Sequence, residues 1–409
     1  MPPPIDPPKD FSKFRVPGVY LGETPVSART ITGITTGIAA FVGPALSGPV
    51  SKASAPLGSF AEYQAVYGGI EPLQYGNGVT APNYLAMAAN AYFLNGGTKL
   101  YISRIAGADG SNAALPVADD YTRALTFFEG IDEIDIVAAP GGAVTGASGA
   151  ASVAPMHAAL IAHTERNAAY RFAVLDPPPG CSIAEVQAVR ASLNSKNAAI
   201  YYPWITIADP NAAASSEARM QVPPSGAICG LYASNDAQRG VFKAPANLPI
   251  AGALGFELSL NEQQNSVLNQ AGINCMRSFP GRGNLVWGAR TLSSDSEWRY
   301  VNVRRYLLYL EHSIDAGTKW AAFEPNNATL WTAVQTSVSG FLNAEWRKGA
   351  LLGVKPEQAY FARCDQTTMS QTDIDAGVLI CLVGVAVIQP AEFVIFRISQ
   401  QTAPASSSK

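Results

Sequence analysis

Ile134-Asp135-Ile136-Val137-Ala138-Ala139-Pro140-Gly141-Gly142 decides the fold class. Six mostly apolar positions, rich in β-branched residues, end abruptly at a Pro-Gly-Gly stop. A short apolar run bounded by turn residues reads as a strand buried on both faces. Working outward, residues 154–167 read as a helix. Phe172 to Leu175 reads as a second strand, stopped by Asp176-Pro177-Pro178-Pro179. Ile183 to Leu193 reads as a helix with Val186 and Val189 on its apolar face, and residues 199–207 as a third strand. Strands alternating with helices predict an α/β layer around a largely parallel sheet.

Further out the pattern extends in both directions. Residues 30–42, TITGITTGIAAFV, predict a strand leading into the core, and 81–94 a helix ending at Asn95-Gly96-Gly97. Lys99 to Ile105 alternates as a strand should. Towards the C-terminus, Ser294 to Glu297 has the S-x-x-E form of a capping box before a long amphipathic helix. Tyr300, Val303, Leu307, Leu310 and Ile314 make its apolar stripe; Arg299, Arg305 and His312 fall off that stripe, and Arg304 and Glu311 flank it. A second helix starts after Pro325-Asn326-Asn327 and ends before Gly349. Strands are predicted at 359–363, 378–388 and 393–398. The fold class is α/β locally and α+β overall.

Composition narrows the function. Of 409 residues, 48% are apolar but only 14% are charged, against about 25% in ordinary soluble proteins. So few charges suit a chain that buries much of its surface against partners. A net charge of −3 argues against a nucleic-acid binder. The five cysteines show no metal-ligand spacing, and no metal or cofactor is expected. The proline-rich start lacks the apolar segment of a secretory signal, and the apolar run 377–388 is too short to span a membrane, so no membrane insertion is expected.

Catalytic patterns are weak. There is no phosphate-binding Gly-Lys loop and no G-x-S-x-G elbow. Asp135, Asp176 and His157 or His163 lie near predicted strand ends, where a hydrolase-like site is conceivable, but Asp176 before three prolines reads better as a turn residue. Glu129, Asp132, Glu133 and Asp135 form a carboxylate cluster. Glu133 and Asp135 would share a face if both lay on the strand.

A run of stretches in fixed order carries a resemblance. It begins with Pro17-Gly18-Val19-Tyr20, ITGITTGIAAFVG (31–43) and FLNGGTKLYISRI (93–105). It continues through PSGAICGLYASNDAQRGVFKAPAN (224–247), LVWGARTL (285–292), WRYVNVRRYL (298–307) and FEPNNATLW (323–331). It closes with AYFARCD (359–365) and GVAVIQPAEFVIFRISQ (384–400). Together they resemble the tail sheath protein of contractile phage tails and related phage-tail-like injection particles.

The resemblance implies a subtilisin-like α/β middle domain without a catalytic triad, a C-terminal α+β sheath domain and exchanged terminal β-strand arms. The expected divisions are an arm over 1–28, an outer or middle domain over 29–255 with a variable region at 107–220, an inner domain over 256–392 facing the tube, and a C-terminal arm and tail over 393–409. It implies a structural subunit, not an enzyme, that polymerises around an inner tube and contracts to drive the tube through a cell envelope. A static tube or coat protein and a hydrolase-like enzyme are the alternatives. Implied partners are other copies of the chain, the inner tube protein, and baseplate and tail-terminator or cap proteins. Assembly in the bacterial cytoplasm into a virion tail or released extracellular particle is implied too.

The residues supply a coupling device of their own. The short terminal strands cannot satisfy their backbone groups alone and are expected to add to a neighbour's sheet edge. The candidate inter-subunit residues are Val16, Val19, Tyr20 and Leu21, and Phe393, Val394, Ile395, Phe396, Arg397 and Ile398. Pairing of each strand within its own chain is the other reading. Arg347 and Lys348 are candidate tube contacts, or ordinary last-turn cations complementing a helix dipole.

Overall fold

A computed structural model describes residues 28–392, apart from 77, 107–109, 113, 143–148 and 214–215 and the side chain of Ala150. Both expected terminal strands, with Val16, Val19, Tyr20 and Leu21 and with Phe393 to Ile398, lie outside the described residues.

The decisive stretch is a strand, Ile136–Ala138, near the middle of an eight-stranded sheet. The order across the sheet is Leu248–Pro249, Gly283–Val286, Ile273–Phe279, Ala198–Tyr202, Phe172–Leu175, Ile136–Ala138, Ala39–Pro44, Leu100–Ile105. From Ile273–Phe279 to Leu100–Ile105 every neighbouring pair is parallel; the 283–286 strand alone runs the other way, antiparallel to both 273–279 and 248–249. The sheet continues through Val286, past residue 255.

Alternation along these strands feeds two cores. Phe41, Ile102, Ile136, Phe172, Val174 and Tyr201 face α1 (Phe60–Tyr67), α2 (Tyr84–Leu94) and α6 (Ser225–Arg239). Ala40, Val42, Val137, Ala173, Leu175 and Ile200 face α3 (Ala118–Thr126), α4 (Ala150–Thr164), α5 (Ile183–Ala191) and α7 (Glu262–Gln270). Helices on both faces make the strands apolar throughout, which is why 134–139 reads as a continuous run. On the first face α6 packs directly on α2. A Cβ at Gly226 would lie 2.5 Å from Ala88 Cα, and one at Gly230 would lie 2.4 Å from the Tyr92 carbonyl oxygen. Only glycine permits this approach.

A third core belongs to the C-terminal part. There α8 (Val301–Thr318) packs with α9 (Ala328–Arg347) around Tyr306, Leu310, Leu330, Trp331, Val334 and Phe341. A two-stranded antiparallel sheet, Tyr360–Arg363 with Leu382–Val385, lies against them.

Several boundaries differ from the sequence reading. Residues 28–38 are not strand; pairing begins at Ala39, after Gly37 turns the backbone through a φ of 81°. The run 199–207 splits in two at Pro203, whose nitrogen has no hydrogen to donate. The S-x-x-E capping box does not form: Asp295 accepts from Glu297 N at 2.9 Å and caps a short 3-10 turn, and α8 starts later, at Val301. Only Leu382–Val385 of the run 378–388 is strand. By contrast α9 begins where its Asn327 cap predicts, with the side chain accepting from Thr329 N and Leu330 N.

Candidate functional site

The hydrolase-like set does not assemble as a triad. Asp176 is buried, and its carboxylate accepts from Ser225 Oγ at 2.6 Å, Ser225 N at 2.8 Å and Gly141 N at 3.2 Å. His157, also buried, donates from Nε2 to the Asp176 backbone carbonyl at 2.9 Å, so no base stands between carboxylate and hydroxyl. Burial raises the Asp176 carboxyl to about 6, against its three donors. Burial lowers the His157 imidazole to about 4. The group ties the 172–175 strand end to the start of α6 and to α4.

The carboxylate cluster disperses. Glu133 is not on the strand; it accepts from Lys99 Nζ at 2.6 Å and from the Tyr101 hydroxyl. Glu129 pairs with Arg166 at 2.8 Å. Asp135 is drawn inward, accepting from Gly37 N at 3.0 Å, Ile38 N at 2.6 Å and Arg305 Nη2 at 2.9 Å. Burial pushes Asp135 up to about 6 even with Arg305 beside it, so the ion pair persists at neutral pH. Arg305 also donates to both oxygens of Asp236, at 2.9 and 2.7 Å, and lies 4.7 Å from the Tyr232 ring centre. Sheet, α6 and α8 are thereby locked together by one guanidinium, although sequence periodicity had placed Arg305 off the apolar stripe.

The N-terminal end of the described chain is fixed on α8 and α9, and the C-terminal end on α7 and the segment from Arg290 to Tyr300. At the N-terminal end Arg29 N donates to Ser337 Oγ on α9 at 2.9 Å, its guanidinium lies 5.2 Å from the Trp320 ring centre, and Ile34 N donates to Ser313 Oγ on α8 at 3.1 Å. At the C-terminal end Arg290 grips Glu392 with two donors, at 3.0 and 2.7 Å. Asn269 Nδ2 adds a bond at 2.7 Å and the Tyr300 hydroxyl one at 3.1 Å. Burial would raise this carboxyl, but the donors prevail and hold it below the usual range. Nothing in the local sequence pattern marks Glu392, because its partners come from distant segments.

Between these roots the 360–363/382–385 sheet exposes apolar surface. Phe361 is 56% exposed, Leu382 49% and Val383 39%; Leu352 and Val354 nearby are 52% and 88% exposed. Phe361 stands opposite Gly384 in the ladder, and its ring fills the space a Cβ there would take. Beyond the ladder Leu352 N donates to the Ala386 carbonyl at 2.8 Å, in an isolated antiparallel bridge between Leu351 and Val387. Two strands alone are marginal in water, and an apolar sheet of this size is ready to accept another strand.

Arg347 and Lys348 end α9. Arg347 is exposed, while Lys348 Nζ lies 2.6 Å from Glu345 Oε1. Among the described residues no three His, Cys, Asp or Glu side chains gather as a metal site, and no helix is long and apolar enough to cross a membrane.

Residues 116–292 match the phage tail sheath protein central domain and residues 293–401 the phage tail sheath C-terminal domain. A putative prophage major tail sheath protein of Pseudomonas aeruginosa (strain UCBPP-PA14) is 28% identical over 187 residues, 44% of this chain and 47% of the relative. The tail sheath protein of Burkholderia phage BcepMu is 26% identical over 200 residues, 45% of this chain and 41% of the relative. The matched stretch thus takes in less than half the length of each of these relatives. Coverage by structure is wider. The helical sheath of the anti-feeding prophage in its contracted state superposes with a TM-score of 0.76 at 29% identity, covering 95% of this chain and 100% of that one. The contracted sheath complex of the PVC extracellular contractile injection system gives 0.74 at 28% identity, with 95% and 98% covered.

Proposed function

The chain belongs to the contractile tail sheath family, and from that premise we propose that it is the structural subunit of a sheath that polymerises helically around an inner tube and contracts to drive the tube through a target envelope. The supporting observation is the near-complete superposition on contracted sheath subunits, together with an exposed, unfinished apolar sheet at 360–363/382–385. In this reading the arms over 1–28 and 393–409 leave from anchored roots and add to that sheet on neighbouring copies. Val19 and Leu21 on one arm and Phe393 and Ile395 on the other supply side chains for Phe361, Leu382 and Val383. At about 0.5–1.5 kcal/mol net per hydrogen bond, an added strand contributes several kcal/mol per link. Links through exchanged arms let subunits slide while remaining connected.

The middle of the chain, expected over 29–255 and carried on to Val286 by its sheet, acts as a subtilisin-like building block with a structural rather than catalytic role. That reading is supported by the Ser225–Asp176 bond, in which the carboxylate holds the hydroxyl directly and no base intervenes. The inner part, 256–392, faces the tube, with Arg347 and Lys348 as its contacts. The remaining partners are a baseplate and a terminator or cap protein. The particle assembles in the bacterial cytoplasm and works as a virion tail or released extracellular machine.

Negative-stain electron microscopy of the purified chain expressed alone, with sedimentation alongside, tests the proposal. Hollow, helically striated tubes are expected, and deletion of residues 1–23 or 393–409 should abolish them while leaving a folded core. Normal tubes from both truncations would end the arm-exchange reading.

A further inference from the structure

Two thiols meet where the 360–363/382–385 ladder opens. Arg363 is paired with Leu382, so Cys364 and Cys381 are the next residues opposite each other. Their position in the hydrogen-bonding alternation follows from the far end of the ladder. There Ala386 N donates to the Ala359 carbonyl at 2.8 Å, which makes 359/386 a hydrogen-bonded pair. Stepping along the ladder, 361/384 and 363/382 are hydrogen-bonded pairs, while 360/385, 362/383 and 364/381 are not. Non-hydrogen-bonded antiparallel pairs bring side chains closest, with Cα atoms about 4.5 Å apart. A disulfide accepts Cα separations of about 4.4–6.8 Å. The opposing strands are also held just beyond the pair, where Thr368 Oγ1 donates to the Ile380 carbonyl at 2.8 Å.

We propose that Cys364 and Cys381 are a redox-responsive pair that closes to a cross-strand disulfide when the protein meets a small-molecule disulfide, stapling the open end of this sheet. The two thiols differ in role. Cys364 is buried and Cys381 half-buried, so the small disulfide reaches Cys381 and Cys381 attacks first. Its thiolate bonds to one sulfur of the small disulfide and expels the other as a thiolate. Cys364, losing its proton to solvent, then attacks the Cys381 sulfur and expels the second small thiolate. The protein loses two protons and two electrons; the small disulfide gains them as two thiols. Burial raises both protein thiols above the ordinary range, so closure is slow at neutral pH and speeds up as pH rises. The staple needs only this chain's geometry; that it would stiffen the surface receiving neighbouring arms rests on the function proposed above.

The test uses the full chain, reduced and then exposed to oxidised glutathione, denatured, alkylated with iodoacetamide and digested with trypsin. Cys364 and Cys381 fall on one tryptic peptide, since neither Lys nor Arg occurs between Arg363 and Arg397. The expected product is that peptide without alkylation and lighter by two hydrogens, while Cys181, Cys229 and Cys275 remain alkylated. Cys364→Ser should instead carry one glutathione on Cys381, and Cys381→Ser should carry little on Cys364. A doubly alkylated peptide after oxidation, or equal glutathionylation of the two single variants, would overturn the proposal. Either result reads the cysteines alone, so it stands apart from whether tubes form.

Discussion

Arg305 on α8 and Asp236 on α6 form an ion pair at 2.7 Å with only 3% and 2% of their side chains exposed. The same guanidinium reaches Asp135 at the edge of the sheet strand, so the third core is bolted to the first two through one cation. Two carboxylates around one guanidinium leave a net negative charge if the cation is lost. Removing one partner of a buried pair typically costs about 3–5 kcal/mol. Arg305→Met should therefore lower unfolding free energy by roughly that amount, read as a shift in the denaturant midpoint. Adding Asp236→Asn to that variant should recover part of the loss. A midpoint unchanged from the parent would show that the knot holds nothing together.

His157 and Asp176 pull stability in opposite directions with pH. His157 is lowered to about 4, so between that value and its ordinary 6.5 the unfolded chain binds a proton that the folded chain does not. Its contribution is present above about 6.5 and is lost as pH falls. Asp176 is raised to about 6, so its contribution runs the other way, falling as pH rises from about 4 to 6. Replacing the imidazole by His157→Gln removes the first effect and leaves the second. Relative to the parent, the variant should gain about 1–2 kcal/mol in going from pH 7 to pH 5. Urea unfolding at the two pH values measures this, and parallel curves for parent and variant would mean that His157 titrates normally.

These residues also mark where sequence reading reaches its limit. Phe172–Leu175 is legible because four apolar residues run straight into Asp-Pro-Pro-Pro, and the start of α9 because Asn327 can cap nothing else. Ser294 to Glu297 misleads because a nearer cap, Asp295, competes for Glu297 N. Residues 30–38 look like a strand because β-branched content reports a preference for extended backbone, not the presence of a pairing partner. Arg305 is illegible for a different reason: Asp135 lies 170 positions away, and a cation off the stripe looks solvated until that partner is in place. The family resemblance carried the function because it drew on the order of many stretches rather than on any local pattern.

Glu392 sits where the C-terminal arm begins, so its clamp should govern how firmly an exchanged strand is rooted. Glu392→Gln puts an amide against the donors of Arg290 and Asn269. Hydrogen bonds to charged groups contribute about 1.5–3 kcal/mol, and partial exposure places this change towards the lower figure. The variant should stay folded with a small loss in denaturant midpoint, yet form fewer and shorter tubes under the electron microscope. Tubes of normal number and length would show that strand exchange does not depend on this root.

Arg347 and Lys348 separate in a way the sequence did not disclose. Lys348 is committed to Glu345, whose buried carboxylate also accepts from the Tyr306 hydroxyl at 3.1 Å and the Tyr309 hydroxyl at 3.2 Å. Neutralising Lys348 therefore disturbs the α8–α9 packing as well as any outward contact, though at 62% exposure its own pairing is worth less than about 1 kcal/mol. Arg347, exposed at the helix end, offers the cleaner test. Arg347→Gln should leave stability and tube-independent polymerisation unchanged while reducing recovery of the inner tube protein with the sheath. The difference from the parent should be largest at low ionic strength and shrink as salt is added, because an exposed contact of this kind is screened in the parent as well. Lys348→Gln should show a weaker loss of tube together with a small drop in unfolding midpoint. If both variants retain the inner tube like the parent across the salt range, the tube is held by another face of the subunit.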